Sequence, residues 1–282
     1  MTKAFIVGHP VKHSRSPLIH GHWLERYGLE GSYERIDVAP VNFADFLGSF
    51  GRDGFAGGNV TIPHKEAAFA GVARRTLRAG RLGAVNTLWF ENGVLWGDNT
   101  DVIGFMAHLD GSLGTGWERD VDTALIIGAG GAARAVAAGL QDRPLKRILV
   151  ANRTPSKTRE LVSDLGGGGP AALEAVAWEE VGPALARSRL IVNTTSLGMA
   201  GQPPLLLDLD GAPADAVVAD IVYVPLKTPL LASAEARNLR TVDGLGMLLH
   251  QAAPGFERWF GVAPEVTPEL RALIVADIEG AP

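Results

Sequence analysis

The stretch TALIIGAGGAARAVAAGL, residues 123–140, constrains this chain more than any other. An apolar run of strand length leads into glycines and then into an alanine-rich segment of helical period. Gly128, Gly130 and Ala133 stand in the G-x-G-x-x-G/A spacing. The first position permits a tight turn, the second lets the backbone approach a pyrophosphate, and the third is small enough for the helix to pack on a sheet. Phosphates at such a turn meet the free N–H groups and the positive end of the helix dipole. Without a ligand the same pattern is simply a tight strand–helix turn, so the glycines specify a parallel α/β sheet more firmly than they specify a cofactor.

The residues that follow keep the same rhythm. KRILVANRT (146–154) reads as the next strand and PSKTRELVSDL (155–165) as a helix. LIVNTTSLGM (190–199) and AVVADIVYVP (216–225) read as two more strands, and a helix is expected over about 228–238. NAD-binding folds carry an acidic residue roughly 20 residues beyond the first glycine, for the ribose hydroxyl. Here that place holds Asn152, Arg153 and Thr154, with Lys157 close by. A carboxylate repels a 2′-phosphate whereas a guanidinium binds it, which favours NADP over NAD. The alternative is that Arg153 is a solvated loop arginine.

The amino-terminal part also alternates. KAFIVGHP (3–10) and SYERIDVAP (32–40) read as strands, with a proline-led helix over 17–29 between them and a helix over 41–54 after. FAGGNVTIPHKEAAFA (55–70) passes from strand through Pro63 into helix, and residues 84–99 form a hairpin turning at Glu91-Asn92-Gly93. The segment 100–109 turns helical, and residues 245–282 read as helical with breaks at proline. The glycines of 166–169 are too few to link independent folds. The expected fold is two-domain α/β: a substrate domain from 1–105 plus 246–282, and a Rossmann-type dinucleotide domain over 106–245.

Three polar clusters punctuate the first part at strand ends, where open α/β sheets bind ligands. HSRSP puts Ser14 and Ser16 two apart before Pro17, which disfavours helix at Ser16; in an extended segment both hydroxyls face one way. NVTIPHKE supplies Asn59, Thr61 and Lys65, and AVNT with GDNTD supplies Asn86, Asp98, Asn99, Thr100 and Asp101. Hydroxyls, amides, an ammonium and a carboxylate suit a small polyhydroxy acid. Taken alone, HSRSP is also a serine-rich loop capping the next helix, and Lys65 an exposed helix lysine. His20 and His22 do not share a helix face, and His13 and His64 have no evident partner. Tyr223 reads as packing.

The remaining composition excludes several classes. The 282 residues contain no cysteine, so disulfides and thiolate metal sites are out. A net charge of −5 argues against a nucleic-acid binder, and no apolar run approaches membrane-spanning length. No metal site is expected, and a cytoplasmic location is.

In order and spacing, HSRSP, NVTIPHKE, GAVNT, GDNTD, GAGGAAR, NRT, NTTSLGM and DGLGMLLHQA together resemble the shikimate dehydrogenase family over nearly the whole chain. The resemblance implies reversible NADP-dependent reduction of 3-dehydroshikimate to shikimate, in the pathway to chorismate and the aromatic amino acids. It implies Lys65 and Asp101 as the catalytic pair, Ser14 and Ser16 on the substrate carboxylate, and Asn59, Thr61, Asn86 and Gln251 on its hydroxyls. It further implies Gly128, Ala129, Gly130 and Gly131 at the pyrophosphate, Asn152, Arg153 and Thr154 at the adenosine phosphate, and Met199, Tyr223 and Gly246 near the nicotinamide. A homodimer is compatible with it. Two departures are visible: Val102 stands where the family often has glycine, and NRTPSKTRE is less arginine-rich than in some relatives. The competing readings are a quinate/shikimate dehydrogenase using the same site with a broader substrate range or NAD, and a non-catalytic sensor of dinucleotide and metabolite.

Overall fold

The structure is a computed structural model that describes residues 1–280. The chain divides into two compact units, Met1–Thr100 with Leu249–Gly280, and Asp101–Leu248.

In the first unit the chain runs β1 (Thr2–Gly8), α1 (Ser16–Arg26), β2 (Gly31–Asp37), α2 (Phe43–Ser49), β3 (Phe55–Val60), α3 (Lys65–Gly71), β4 (Arg74–Arg75), α4 (Leu77–Leu82), β5 (Thr87–Glu91) and β6 (Val94–Asp98). The sheet order is β2-β1-β3-β5-β6-β4. The β1, β2 and β3 strands are parallel, whereas β5 pairs antiparallel with both β3 and β6. Asn92 and Gly93 both take positive φ, 51° and 75°, which makes β5–β6 a two-residue hairpin. Phe5 on β1 centres one face, meeting Phe46, Phe50 and Phe55 edge-on at 5.1–5.3 Å. Such aromatic pairs add about 0.5–1.5 kcal/mol each beyond burial.

The second unit holds α5 (Asp101–Leu113), β7 (Thr123–Ile127), α6 (Gly131–Gln141), β8 (Arg147–Ala151), α7 (Pro155–Leu165), β9 (Ala172–Val176), α8 (Val181–Leu185), β10 (Leu190–Asn193), β11 (Val217–Asp220), α9 (Pro229–Ala236) and β12 (Arg240–Val242). Its six strands lie in the order β12-β11-β10-β7-β8-β9, and every pairing is parallel. This is the doubly wound dinucleotide-fold order, with the direction of winding reversing between β7 and β10. Every residue of β7, β10 and β11 is buried, as continuous apolar runs must be when helices cover both faces. Ala133, Ala135, Val136 and Ala137 of α6 are wholly buried; their small size brings the helix close to the sheet.

The last two helices are α10 (Leu245–Phe260) and α11 (Pro268–Gly280). From Leu249 onward they belong to the first unit. Trp259 Nε1 donates to the Leu88 carbonyl at 2.8 Å, and Trp23 Nε1 donates to the Glu265 carbonyl at 3.0 Å.

Two expectations from sequence are corrected. Pro254 does not break α10, which runs on to Phe260. An interior proline costs about 3 kcal/mol, but Phe256 and Trp259 beyond it are buried and hold the helix in place. Ser16 is not extended: it opens α1, with Pro17 in the first turn, where a missing N–H costs nothing. The first-turn tolerance of proline outweighs its preference for an extended predecessor.

Candidate active site

In the first unit the polar clusters gather where β3, β5 and β6 bring their ends together. Ser14 lies just ahead of α1, and its Oγ accepts a hydrogen bond from Ser16 N at 3.3 Å. Arg15, not Ser14, is the N-cap of α1 and no side chain caps the helix there, so this bond is a local turn contact that leaves the Ser14 hydroxyl proton to donate elsewhere. Arg35 on β2 fixes this loop by donating from Nε and Nη2 to the Ser14 carbonyl, at 2.9 and 2.6 Å. Ser16 is buried beside the hydroxyl of Tyr33, a β2 residue.

Asn59, at the end of β3, is buried and fully engaged. Its Oδ1 accepts from Tyr33 Oη at 2.6 Å, and its Nδ2 donates to the Asn86 carbonyl at 3.1 Å and to Thr87 Oγ1 at 3.2 Å. Thr87 Oγ1 donates in turn to Asn86 Oδ1 at 2.9 Å. Asn86 Oδ1 also accepts from Thr100 N at 2.8 Å and from Thr100 Oγ1 at 3.1 Å. The Asn86 oxygen is thus claimed from three sides. The GDNTD loop is pinned separately: Arg78 donates from Nε to the Asn99 carbonyl at 2.8 Å, and Asn99 N donates to Asp98 Oδ1 at 2.7 Å.

Lys65 is the first residue of α3 and is half-buried rather than exposed. Val85 N donates to its carbonyl at 2.9 Å, tying the α3 start to the segment that leads into β5. The preceding His64, without an evident partner in sequence, is buried; its Nε2 sits 2.7 Å from the Val38 carbonyl and its ring stacks on Phe43. Thr61, two residues after Asn59, is half-buried and donates N–H to the Val7 carbonyl at 2.9 Å. Asp101 is a buried residue at the start of α5 in the second unit. Gln251 is half-buried on α10.

In the second unit the β7–β10 crossing opens onto a cavity of about 440 Å³. Gly128, Ala129 and Gly130 line it, with Arg153, Lys157, Thr195 and Trp178 among the other walls. Gly128 has φ +117°, and a Cβ there would stand 2.5 Å from Thr194 Oγ1, so the turn admits only glycine. At Gly130 and Gly131 a Cβ would meet nothing within 4 Å, so the backbone there is open to approach. No side chain caps α6, so its first N–H groups are left for an anion. These features fit a dinucleotide phosphate, and Asn152, Arg153 and Thr154 share the wall where the ribose end would lie. Met199, Tyr223 and Gly246 are not part of it. Gly246 lies so close to the His108 ring that a Cβ would overlap it, at 2.0 Å, so helix packing requires glycine there.

Sequence reasoning missed the group that shapes this cavity. Asp220, at the end of β11, is buried and accepts from Asn193 Nδ2 at 2.9 Å, Val222 N at 3.0 Å and Thr228 Oγ1 at 2.7 Å. Burial raises its carboxyl to about 6, against the pull of those donors. Asn193 Oδ1 accepts from Thr195 N and Oγ1 at 3.0 and 2.8 Å, shaping the loop that lines the cavity. An aspartate ending an apolar strand carries no motif, and only the fold reveals its hub position.

Models of three domain families match the chain. The shikimate dehydrogenase substrate binding domain covers residues 6–88, the shikimate / quinate 5-dehydrogenase domain 116–199, and the shikimate 5'-dehydrogenase C-terminal domain 244–273. A shikimate dehydrogenase (NADP(+)) from Methylobacterium radiotolerans is 61% identical over 280 residues, 99% of this chain and 98% of its own. The chain belongs to the shikimate dehydrogenase family. The homologous enzyme of Mesorhizobium japonicum, also a shikimate dehydrogenase (NADP(+)), is 57% identical over 99% of this chain and 98% of its own. Among solved shikimate dehydrogenases, that of Thermus thermophilus with NADP(H) and shikimate superposes with TM-score 0.84 at 36% identity, covering 98% of this chain and 100% of that one. A quinate dehydrogenase from Corynebacterium glutamicum with NAD superposes with TM-score 0.89 at 29% identity, covering 98% and 99%.

Proposed function

We propose that the chain catalyses the reversible NADP-dependent interconversion of 3-dehydroshikimate and shikimate, as a step of the shikimate pathway to chorismate. Its activity as an NADP-dependent oxidoreductase follows from family membership and from relatives that carry that name at 52–61% identity. The observation that supports the substrate reading is the buried network of amides and hydroxyls, Asn59, Asn86, Thr87 and Thr100, gathered at the strand ends of the first unit, a donor and acceptor set suited to a polyhydroxy ring.

When bound, the nicotinamide supplies or accepts the hydride at the carbon that alternates between carbonyl and alcohol. The protein's own part is to hold the ring and move the proton. Ser14 and Ser16 hold the carboxylate through hydroxyl donors. Asn86, Thr61 and Gln251 orient the ring hydroxyls. Asn59 supports Asn86 and Thr87, because its amide is already committed within the protein. Lys65 and Asp101 form the catalytic pair: in the reducing direction the lysine ammonium gives a proton to the carbonyl oxygen as the carbon gains hydride, and the carboxylate orients that ammonium. In the oxidising direction the proton returns. Arg153 and Lys157 hold the 2′-phosphate of the cofactor, and α6 faces its pyrophosphate.

A quinate-oxidising, NAD-dependent reading draws on the Corynebacterium likeness. The absence of an acid at Asn152-Arg153-Thr154 favours NADP. Initial rates with shikimate and with quinate, each with NADP and NAD, test the reading. Turnover of shikimate with NADP, and little with the other three pairings, is expected. Equal rates with quinate or NAD would replace it with the broader activity.

A further inference from the structure

We infer that Asp220 is a positioning residue for the dinucleotide: through Asn193 it holds the turn Thr195–Leu197 in the form that walls the cofactor cavity. The inference rests on the reading of that cavity as the NADP site. Asn193 ends β10 and Asp220 ends β11, and the two are paired in register. Both are buried, and neither lines the cavity. They act on it through bonds that run one way. A carboxylate only accepts and a backbone N–H only donates. Asn193 stands between one of each, so its amide has a single permitted sense. Its Nδ2 donates to Asp220 Oδ1 at 2.9 Å, and its Oδ1 accepts from Thr195 N at 3.0 Å.

The turn is closed from that amide. Thr195 Oγ1 also donates to Asn193 Oδ1, at 2.8 Å, and accepts from Leu197 N at 3.1 Å. The second hydrogen of Asn193 Nδ2 goes to the Leu197 carbonyl at 3.2 Å. One side chain thus holds both ends of the turn, and Asp220 sets which way that side chain faces. Thr195, Ser196 and Leu197 all line the cavity. The same segment abuts the phosphate turn. Thr194 donates from N and from Oγ1 to the Ile127 carbonyl, each at 2.8 Å, beside the Gly128 position where no Cβ fits. A shift of the turn therefore reaches both the wall and the glycines.

Asp220→Leu keeps the bulk of the side chain and removes the acceptor. The expected result is a Kd for NADP raised about tenfold, followed by the fluorescence of Trp178 on the cavity wall. The KM for NADP should rise in step while the KM for shikimate stays as it was. Asp220→Asn retains an oxygen for Asn193 Nδ2 and should restore most of the affinity. Thr195→Val breaks the same chain at its far end, so Asp220→Leu and Thr195→Val together should weaken NADP no more than Asp220→Leu alone. An unchanged Kd in folded Asp220→Leu, no rescue by Asp220→Asn, or additive effects would overturn the inference. If Asp220→Leu does not fold, Thr195→Val decides by itself: a raised Kd supports the inference and a wild-type Kd overturns it. If the wild-type protein binds NAD and not NADP, the cofactor reading fails, and the same series read with NAD still decides the role of Asp220.

Discussion

Gly128 shows what a single residue can dictate. Its φ of +117° and the 2.5 Å approach to Thr194 Oγ1 leave a methyl group no room, so Gly128→Ala should lower NADP affinity at least tenfold or prevent folding of the second unit, read by NADP titration and circular dichroism. Arg153 is exposed on the cavity wall, so its removal touches binding and little else. Arg153→Ala should raise the KM for NADP roughly 10–100-fold and leave that for NAD nearly unchanged; equal losses for both cofactors would place the 2′-phosphate elsewhere. Lys65→Ala should lower kcat by about 10²–10⁴ with NADP affinity intact, and retention of turnover would remove the lysine from its assigned role. Gly128 was legible in sequence because it sits in a spacing that the turn requires. Tyr33 and Asp220 were not: a tyrosine on an alternating strand and an aspartate at a strand end look the same whether they pack, cap or organise a network.

At the scale of elements, legibility followed burial. The central strands β7, β8, β10 and β11 were readable because they are continuous apolar runs buried on both faces, although each ends earlier than its apolar run suggests. The strands β9 and β12 are the two edges of that sheet, short and partly exposed, and so lack both the run and the alternation. The helix start at Pro17 was read to within one residue, but Ser16 was misread as extended, because Pro17 signals both an extended neighbour and a first helical turn, and only tertiary packing chooses between them. The α9 start joins stability to the cavity. Thr228 Oγ1 accepts from Leu231 N as the helix cap while donating to Asp220. Thr228→Val should therefore cost about 1–3 kcal/mol in urea unfolding, more than loss of a cap alone.

For the molecule as a whole, two buried groups give opposite dependences on pH. His20 titrates near 3 in the folded chain instead of near 6.5, so its stabilising state is complete above pH 6.5 and is lost as pH falls toward 3. Asp220 titrates near 6 instead of near 3.8, so it favours the folded state below pH 3.8 and that advantage fades as pH rises to about 6. Between roughly pH 4 and 6 they oppose each other. Relative to wild type, the melting temperature of His20→Phe should therefore fall as pH rises through that window, and that of Asp220→Asn should rise; parallel curves for all three proteins would mean that neither group titrates anomalously. The division of the chain has a consequence of a different kind, in time rather than in energy. The first unit is built from residues 1–100 and from 249–280, and the partners of Trp23 and Leu88 are Glu265 and Trp259. On a ribosome adding about 5–20 residues per second, the first hundred residues emerge and then wait roughly 8–33 seconds for those partners. The half of the protein made first is thus the half completed last, and a nascent chain halted before residue 249 carries its substrate domain unfinished however well the middle has folded.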